Sequence, residues 1–399
     1  MQRDVLGQWF PRAVDKNRGG FHQNYAGDWK RIAGDERSIV YQSRLTWLSA
    51  QAAQRFPAQK KRYIEYSNHG ARFLRERMWD KRFGGFFWEL NGQGKAERNG
   101  EKHVYGNAFA IYALCAHYRA TRDPRSLALA QRGFRWLERH AHDAKNGGYL
   151  EALRRDGKPL LTGSVAFPKD FIGTTYGFKS MNTHIHVLEA FSALYQIAPT
   201  RLLRRRLQEV FFLVRDKINV PSVGAMNLYF TPAWRALPDV DSFGHDVETA
   251  YLLIEASEVL GRPNDARTWT IARRMVDHAL SYGFDTTHGG FYDAGSAFGA
   301  ATKTEKIWWM QAESLNALLL MHERLGRQTP RYWNAFVKQW NFIRRFQIDA
   351  VHGGWRNTVS AEGQAVANQN KSDRWTEGYH QGRALMNVSA MLRRLSRER

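Results

Sequence analysis

Three histidines stand near the start of predicted helices, at a similar phase of a repeat that runs through the sequence: His186, His245 and His380. Histidine has an unperturbed pKa of about 6.5, so at neutral pH it both accepts and donates protons. Two imidazoles on opposite sides of one carbon would invert it, one removing a proton and the other returning one to the far face. Arg44, at the same phase of the first repeat, would stabilise the anionic oxygen formed between these steps. A lone helical histidine is more often structural, but three at related phases favour a shared site.

Other polar and aromatic side chains share this phase, and we predict that they position a ligand: Tyr105, Asn107, Asn182, Glu248, Trp309, Glu313 and Trp375. Asn182, His186 and Glu189 follow an i, i+4, i+7 spacing, which places them on one face of a helix. Because burying an unpaired polar group is costly, such a stripe either bonds to its neighbours or serves a site. The two tryptophans are equally consistent with packing and with stacking on a ligand, and Arg44 could also pair with a carboxylate at the mouth.

The remaining histidines near these motifs are predicted to be structural. His184 lies two residues from His186 and therefore faces away from it on a helix. His288 and His352 each precede a glycine pair, as turn residues do.

The repeat itself consists of an aspartate, three residues, two glycines and an aromatic residue. It occurs at 15–21, 80–86, 143–149, 285–291 and 349–355, with first glycines 65, 63, 142 and 64 residues apart. The long gap spans about two periods, and a degenerate copy lies near its middle at 223–226. The sequence therefore contains six units of roughly 65 residues, and a period of this size indicates a repeat architecture.

Each unit is predicted to hold a short hairpin followed by two helices. In the second unit, one helix is expected from about Tyr105 to Arg122; Asp123 and Pro124 then open a second helix that reaches about His140. Six helical pairs that close on themselves form an all-α (α/α)6 toroid, with the hairpins at its mouth. A linear solenoid is the alternative, but neither end shows a polar capping repeat. We therefore predict a single domain over residues 1–399, closed by the amino-terminal segment.

The composition is that of an ordinary globular protein, with 43% apolar and 24% charged residues. The net charge of +21 is spread along the chain without a recognised nucleic-acid module, so we expect a solvated basic surface and no nucleic-acid partner. No apolar run reaches membrane-spanning length, and the single cysteine, Cys115, excludes an internal disulfide. These features favour the cytoplasm, and leave a monomer or a homodimer open. Without a nucleotide-binding fingerprint or a dense metal-ligand cluster, we expect neither a cofactor nor a metal.

Five stretches resemble, in order, the N-acylglucosamine 2-epimerase superfamily, and within it the cellobiose 2-epimerase and mannose 2-epimerase branch. They are Gln-Ser-Arg at 42–44, Asn-Thr-His-Ile-His-Val-Leu-Glu at 182–189, Gly-His-Asp-Val-Glu at 244–248, Trp-Trp-Met-Gln-Ala-Glu at 308–313 and Tyr-His-Gln-Gly-Arg at 379–383. Any one of them alone is a weak signal, but the set is specific. The resemblance covers about residues 8 to 395 and implies an (α/α)6 barrel.

The resemblance also implies a mechanism for a small sugar substrate. The ring opens, the C2 proton is removed to give a cis-enediolate, the C2–C3 bond rotates, and a proton returns to the opposite face. His245 and His380 would be the acid/base pair at C2, His186 would assist ring opening and closure, and Arg44 would hold the enediolate oxygens. The residues that would position the sugar and tune the histidines are Asn182, Glu248, Trp309, Glu313 and Trp375.

One departure keeps the substrate open. Cellobiose 2-epimerases tend to carry Pro-Tyr-His-Asn around the last histidine, whereas this chain has Gly-Tyr-His-Gln at 378–381, so free mannose or glucose is at least as well supported as cellobiose. An aldose–ketose isomerase of the same superfamily would share the intermediate. From other classes, an inverting glycoside hydrolase would need two carboxylates about 6.5–9.5 Å apart, and a non-catalytic sugar-binding or protein-interaction toroid would bind tightly without turnover.

Overall fold

The computed structural model describes residues 1–238, 240–326 and 328–397. Its helices are α1 Gly7–Trp9, α2 Ile39–Arg55, α3 Lys60–Phe73, α4 Val104–Thr121, α5 Pro124–His140, α6 Met181–Ile197, α7 Arg201–Leu213, α8 Phe243–Val259, α9 Ala266–His278, α10 Trp308–Leu325, α11 Pro330–Phe342 and α12 Tyr379–Arg397. Single π-helical turns are Gln2–Leu6, Leu74–Met78, Val214–Ile218, Ala279–Gly283 and Ile343–Gln347, and 3₁₀ turns are Pro57–Gln59 and Arg98–Gly100.

The strands are all very short: β1 Arg37–Ser38, β2 Glu89–Leu90, β3 Lys102–His103, β4 Ala152–Leu153, β5 Lys179–Ser180, β6 Asn219–Val220, β7 Ala225–Met226, β8 Tyr229–Phe230, β9 Ala236–Leu237, β10 Ala294–Gly295, β11 Ala301–Lys303, β12 Lys306–Ile307 and β13 Thr358–Val359. All of the strand pairs are antiparallel. In the described residues, no helix is long and apolar enough to cross a membrane.

The helices form two concentric shells. The inner shell is α2, α4, α6, α8, α10 and α12; each packs on the next, and α12 packs on α2, which closes the ring. The outer shell is α3, α5, α7, α9 and α11, each packed on the inner helix before it in the chain, while the amino-terminal turn Gln2–Leu6 packs on α12. The predicted (α/α)6 toroid, closed by the amino-terminal segment, is confirmed.

Hydrophobic patterning separates the two shells. The outer helix α7 buries Leu203, Leu207, Val210 and Phe211 at i, i+4, i+7 and i+8, a single apolar stripe. The inner helix α4 has neighbours on several sides and buries 13 residues, from Val104 to His117. A helix buried all round must hold polar side chains that are paired or that face a cavity.

The repeated aspartate and glycine pair build one hairpin. In the second repeat, Asp80 N donates to Gly85 O at 2.9 Å, and Asp80 Oδ1 accepts from Arg82 N at 3.0 Å. Gly85 has a φ of +72°, and a Cβ there would lie 2.7 Å from the ring of Trp136. Positive φ and this close approach both require glycine, which explains the motif.

A buried ion pair ties each of five hairpins to a cation in the segment that precedes the next inner helix. The pairs are Arg37–Asp15, Lys102–Asp80, Lys179–Asp143, Lys306–Asp285 and Lys371–Asp349, at 2.6–3.0 Å. The same segments pair with the following repeat through β1–β2, β3–β4, β5–β8 and β12–β13, and through bridges that join Asp241 to Gly295 and Tyr25 to Ser372. The hairpins thus form a second closed ring, above the helices.

Repeat four departs from this pattern. The degenerate copy near 223–226 does form a hairpin, β6–β7, but Val220 stands where the aspartate would be and Asp241 where the cation would be. Asp241 Oδ2 instead pairs with His278 Nε2 of α9 at 2.6 Å. The inner helix α8 begins at Phe243, and the helices predicted for repeat two agree with α4 and α5 to within a residue.

Candidate active site

A cavity of about 390 Å³ opens where the inner helices begin. It is lined by Arg44, Tyr105, Phe171, Ile172, Asn182, His186, His245, Glu248, Trp308, Trp309, Trp375 and His380. The structure therefore brings together all four residues predicted to be catalytic. Counted from the residue at the cation position of each hairpin pair, His186 lies seven positions after Lys179, His245 four after Asp241 and His380 nine after Lys371. The histidines therefore share a layer of the ring but not one repeat position, which corrects the expectation of equivalent phases.

His245 and His380 both contact one tryptophan. The ring centre of Trp309 is 4.7 Å from that of His245 and 5.5 Å from that of His380. Trp308 contacts His380 from another side, at 5.4 Å. Both imidazoles therefore line the same cavity, next to the same aromatic ring.

Hydrogen bonds fix which nitrogen of two histidines carries a proton. His380 Nδ1 lies 2.7 Å from Glu313 Oε1, and His186 Nδ1 lies 3.0 Å from Glu189 Oε2. An ionised carboxylate only accepts hydrogen bonds, so each Nδ1 is the donor and each neutral imidazole leaves Nε2 free as a base. His245 Nδ1 lies 2.7 Å from Ser242 Oγ, a hydroxyl that suits either form.

Arg383 lies behind these histidines and contacts three carboxylates. Its Nη2 donates to Glu248 at 2.5 Å and to Glu313 at 2.7 Å, and its Nη1 donates to Glu189 and to the hydroxyl of Tyr379. The guanidinium is only 2% exposed. On its far side, a smaller cavity of about 150 Å³ opens between the other ends of the inner helices.

Arg44 is held in the wall of the main cavity. Its Nη1 donates to Glu377 at 2.8 Å and its Nη2 to the hydroxyl of Tyr105 at 3.1 Å. The guanidinium also lies over the rings of Phe109 and Tyr379, at 4.3 and 4.9 Å. Because the Tyr105 oxygen accepts this bond, its own proton is available to a ligand.

Burial sets the protonation of the site. Burial lowers the pKa of His245 to about 4, against the opposing carboxylate of Glu248. Burial also lowers the pKa of His380 well below its usual range, so both imidazoles are neutral bases at physiological pH. Burial raises the pKa of Glu377 to about 7, although its ion pair with Arg44 acts in the opposite direction.

An aromatic wall forms the outer part of the cavity. Trp375, 37% exposed, lies 5.9 Å from Trp88 and 6.3 Å from Tyr105 between ring centres. Phe171 stacks on Trp88 at 4.9 Å and joins Ile172 in the cavity lining. Flat apolar faces beside polar groups suit the mixed surface of a sugar.

Phe171 and Ile172 come from the long connection between β4 and β5. Asp170 anchors it by pairing with the buried His103 at 3.0 Å, and the Tyr176 hydroxyl donates to Glu101 at 3.1 Å. The repeat pattern gave no signal for this segment, because it is an insertion that the other repeats lack.

Two residues predicted to bind the ligand lie elsewhere. Asn107 does not reach the cavity: its Oδ1 accepts from Phe86 N at 2.9 Å and its amide donates to His103 O, so it secures its own hairpin. Glu313 lies behind His380 instead of in the cavity wall. His184 accepts from Tyr149 N at 3.0 Å, which confirms its structural role.

Several residues of the site were not predicted to serve it. Arg383 and Glu189 lay within the quoted motifs, but the bonds between them join residues 194 positions apart, which no local spacing reveals. Glu377 is another, and its hydrogen bond to Arg44 spans 333 positions.

The fold brings together groups of side chains able to ligate a metal, although the sequence shows no dense ligand cluster. Among the described residues they are His103 with Glu151 and Asp170, Asp241 with Asp246 and His278, and Glu248 with Glu313 and His380. In the last group, Arg383 Nη2 already lies between the two carboxylates. A guanidinium in that position supplies the positive charge that a cation would bring.

The chain forms an (α/α)6 toroid, and three histidines and an arginine line one cavity where its inner helices begin. A family model described as N-acylglucosamine 2-epimerase matches residues 19–384, and the chain belongs to this family. It is 30% identical over 379 residues to the cellobiose 2-epimerase of Bacteroides fragilis, covering 95% of this chain and 94% of that protein. It is 23% identical over 389 residues to the D-mannose isomerase of Marinomonas mediterranea, covering 93% and 91%.

A solved structure gives the same relationship. The cellobiose 2-epimerase of Spirochaeta thermophila matches with a TM-score of 0.85 at 30% identity, covering 98% of this chain and 94% of that one. The protein is thus a carbohydrate epimerase or isomerase.

Proposed function

We propose that this enzyme inverts C2 of an aldose, either a free sugar such as mannose or glucose or the reducing-end sugar of cellobiose. The observation that carries the proposal is that His245 and His380 line one cavity and both contact Trp309 there. Inversion requires one neutral imidazole that removes the proton from one face and one imidazolium that returns a proton to the other. Inversion at C2 needs no further chemical group beyond a stabiliser for the enediolate.

His245 and His380 would exchange roles according to the direction of the reaction. One imidazole takes the C2 proton while the other, protonated, gives a proton to the opposite face. Glu313 accepts from His380 Nδ1, so its carboxylate stabilises the imidazolium form of His380. His245 bonds through Nδ1 to the Ser242 hydroxyl, and the carboxylate of Glu248 favours its imidazolium form.

Arg44 would hold the enediolate oxygens, and its position supports this role. It is fixed by Glu377 and Tyr105 before any sugar enters, so little reorganisation accompanies the appearance of negative charge. His186, whose Nε2 is free, would move the proton that opens and closes the sugar ring. Asn182, whose Oδ1 has no partner among the described residues, would accept a hydrogen bond from a sugar hydroxyl.

A second candidate, aldose–ketose isomerisation, is supported by the similarity to a D-mannose isomerase. Both reactions pass through one enediolate and differ in whether the proton returns to C2 or to C1. The hydrolase alternative has less support, because Glu377 and Glu248 are each paired with an arginine and are not a free acid and base.

The test is incubation with cellobiose, mannose, glucose, fructose and N-acetylglucosamine in D2O, read by chromatography and NMR. We expect an isomer of one or more of these sugars that has unchanged connectivity and carries deuterium at C2. Deuterium at C1 of a ketose formed from an aldose would favour the isomerase, and glucose released from cellobiose would favour the hydrolase. Full conversion with the original C2 hydrogen retained would contradict exchange through two histidines.

A further inference from the structure

Arg383 contacts the carboxylate partners of two site histidines, which are Glu189 for His186 and Glu313 for His380. It is supplied by α12, while Glu189 comes from α6, Glu248 from α8 and Glu313 from α10. Each of these carboxylates is at most 2% exposed. We propose that Arg383 is a positioning residue: it keeps Glu189 and Glu313 ionised, and thereby holds His186 and His380 with the proton on Nδ1 and Nε2 free toward the cavity. The chemical consequence rests on the proposed function.

The connection from Arg383 to His380 passes through a single carboxylate oxygen of Glu313. Glu313 Oε1 accepts both from Arg383 Nη2 and from His380 Nδ1, each at 2.7 Å. Burial raises the pKa of Glu313, and Arg383 is the strongest influence that opposes this rise. Without the guanidinium the buried carboxyl would take up a proton and could donate it to Nδ1. The imidazole would then carry its proton on Nε2, and the base that faces the cavity would be lost.

The connection from Arg383 to His186 uses both carboxylate oxygens of Glu189. Oε1 accepts from Arg383 Nη1 and, at 2.5 Å, from the Tyr379 hydroxyl, while Oε2 lies 3.0 Å from His186 Nδ1. Burial acts to raise the pKa of Glu189, but Arg383, His186 and Tyr379 together lower it to about 2. Glu189 therefore remains an acceptor across the whole physiological range.

Only an arginine can bond to both Glu189 and Glu313 at once in this geometry. A guanidinium presents its two Nη groups in one plane and donates from each, whereas the ammonium of lysine is a single point charge on a flexible stem. Here Nη1 serves Glu189 and Nη2 serves Glu248 and Glu313. Lysine would retain the charge but could not keep both contacts in the same geometry.

The experiment compares Arg383→Gln and Arg383→Lys with a matched control, Arg215→Gln. Arg215 is 6% exposed and pairs with Asp216 on the outer shell, so its loss also removes a buried guanidinium but lies outside the site. The readout is the tautomer of His186 and His380 from long-range ¹H–¹⁵N NMR spectra of histidine-labelled protein without sugar. The two signals are assigned by their disappearance in His186→Asn and His380→Asn.

The unmodified protein should show both histidines protonated on Nδ1. In Arg383→Gln both signals should move toward the Nε2-protonated form, and kcat should fall about 100-fold, the cost of a misplaced reacting group, with KM little changed. Arg383→Lys should recover part of kcat. Arg215→Gln should lower the melting temperature and leave both histidine signals in place.

An unchanged tautomer in Arg383→Gln, or Nε2-protonated histidines in the unmodified protein, would overturn the proposal. If Arg383→Gln does not fold, Glu313→Met and Glu189→Met test the two connections separately. The first should alter the tautomer of His380 only, and the second should alter the tautomer of His186 only. Unchanged signals in both variants would also overturn it. Because the spectra are recorded without sugar, they remain decisive even if every sugar in the panel is inert, an outcome that would count against the proposed function alone.

Discussion

The ring of hairpins and the cavity below it are built from the same six repeats by opposite means. In the hairpin ring, five repeats supply the same buried pair of an aspartate and a cation. In the cavity, each repeat contributes a different set of side chains, such as Arg44 from the first and His380 from the last. Residues that recur in the repeats therefore build the hairpin ring, which we call the frame. The chemistry comes from positions where the repeats differ.

Repeat four lies between these two cases. It has lost the periodic pair, and Asp241 bonds to His278 instead. Burial and the adjacent carboxylate of Asp241 raise the pKa of Asp246 well above its usual range. This repeat also supplies His245, directly before Asp246 in the chain. The frame is thus modified in the repeat that contributes one of the two bases.

The largest expected effect comes from removing a histidine of the cavity while leaving the frame intact. His245→Ala and His380→Ala should each lower kcat/KM by about 10²–10⁴-fold, the usual contribution of a general acid or base. Steady-state kinetics with the sugar identified by the panel measures this effect, and circular dichroism checks the fold. His288→Ala is the control, since His288 is a half-exposed turn residue. Near-full activity in either cavity variant would contradict the paired roles.

The reverse experiment breaks the frame and spares the chemistry. Lys179 is fully buried and bonds to Asp143 at 2.8 Å and to the carbonyls of Gly147 and Pro232. Lys179→Met should cost about 3–5 kcal/mol in the free energy of unfolding, because it leaves a buried carboxylate unpaired. The kcat of the folded fraction should stay within a few fold of the unmodified enzyme. Denaturant titration measures the loss, with the exposed Lys145 of the same hairpin as the Lys145→Met control; equal losses would mean that burial of the pair contributes nothing.

The smallest expected effect is a pH dependence of the free energy of unfolding that comes from an ion pair of the frame. Burial acts to raise the pKa of Asp143, but Lys179 and Asn146 outweigh it and bring the pKa down to about 2. A carboxyl with a lowered folded-state pKa stabilises the protein above its unfolded pKa of about 3.9, and this stability is lost as pH falls from about 4 to 2. We expect a loss of about 1–2 kcal/mol from this group after screening by solvent. Unfolding measured at several pH values should give a shallower slope for Lys179→Met than for Lys145→Met, and identical slopes would refute the assignment.

The frame was predictable from sequence because its signals are local and repeated. The aspartate and glycine pair of each hairpin lie within seven residues, and helix caps such as Asp123 before Pro124 mark the second helices. The cations that pair with the aspartates lie about 22 residues further on in most repeats. That spacing is also periodic, and it would have identified the buried pairs had it been aligned with the motif.

The site was predictable only in part, because its contacts cross the ring. Arg44, His186, His245 and His380 were placed in one cavity by repeat phase and family resemblance. Asn107 was misplaced because it lies five residues after Lys102, the position from which Gln42 and Gln311 also bond to their own hairpins. The partners that set the histidine tautomers come from other helices, and no spacing along the chain reveals them.

The guanidinium of Arg383 bonds to partners on four of the six inner helices, its own α12 included. A ring of six identical copies would bring six arginines to the axis or would contain none. A central contact of this kind therefore requires one repeat to differ from the other five at this position.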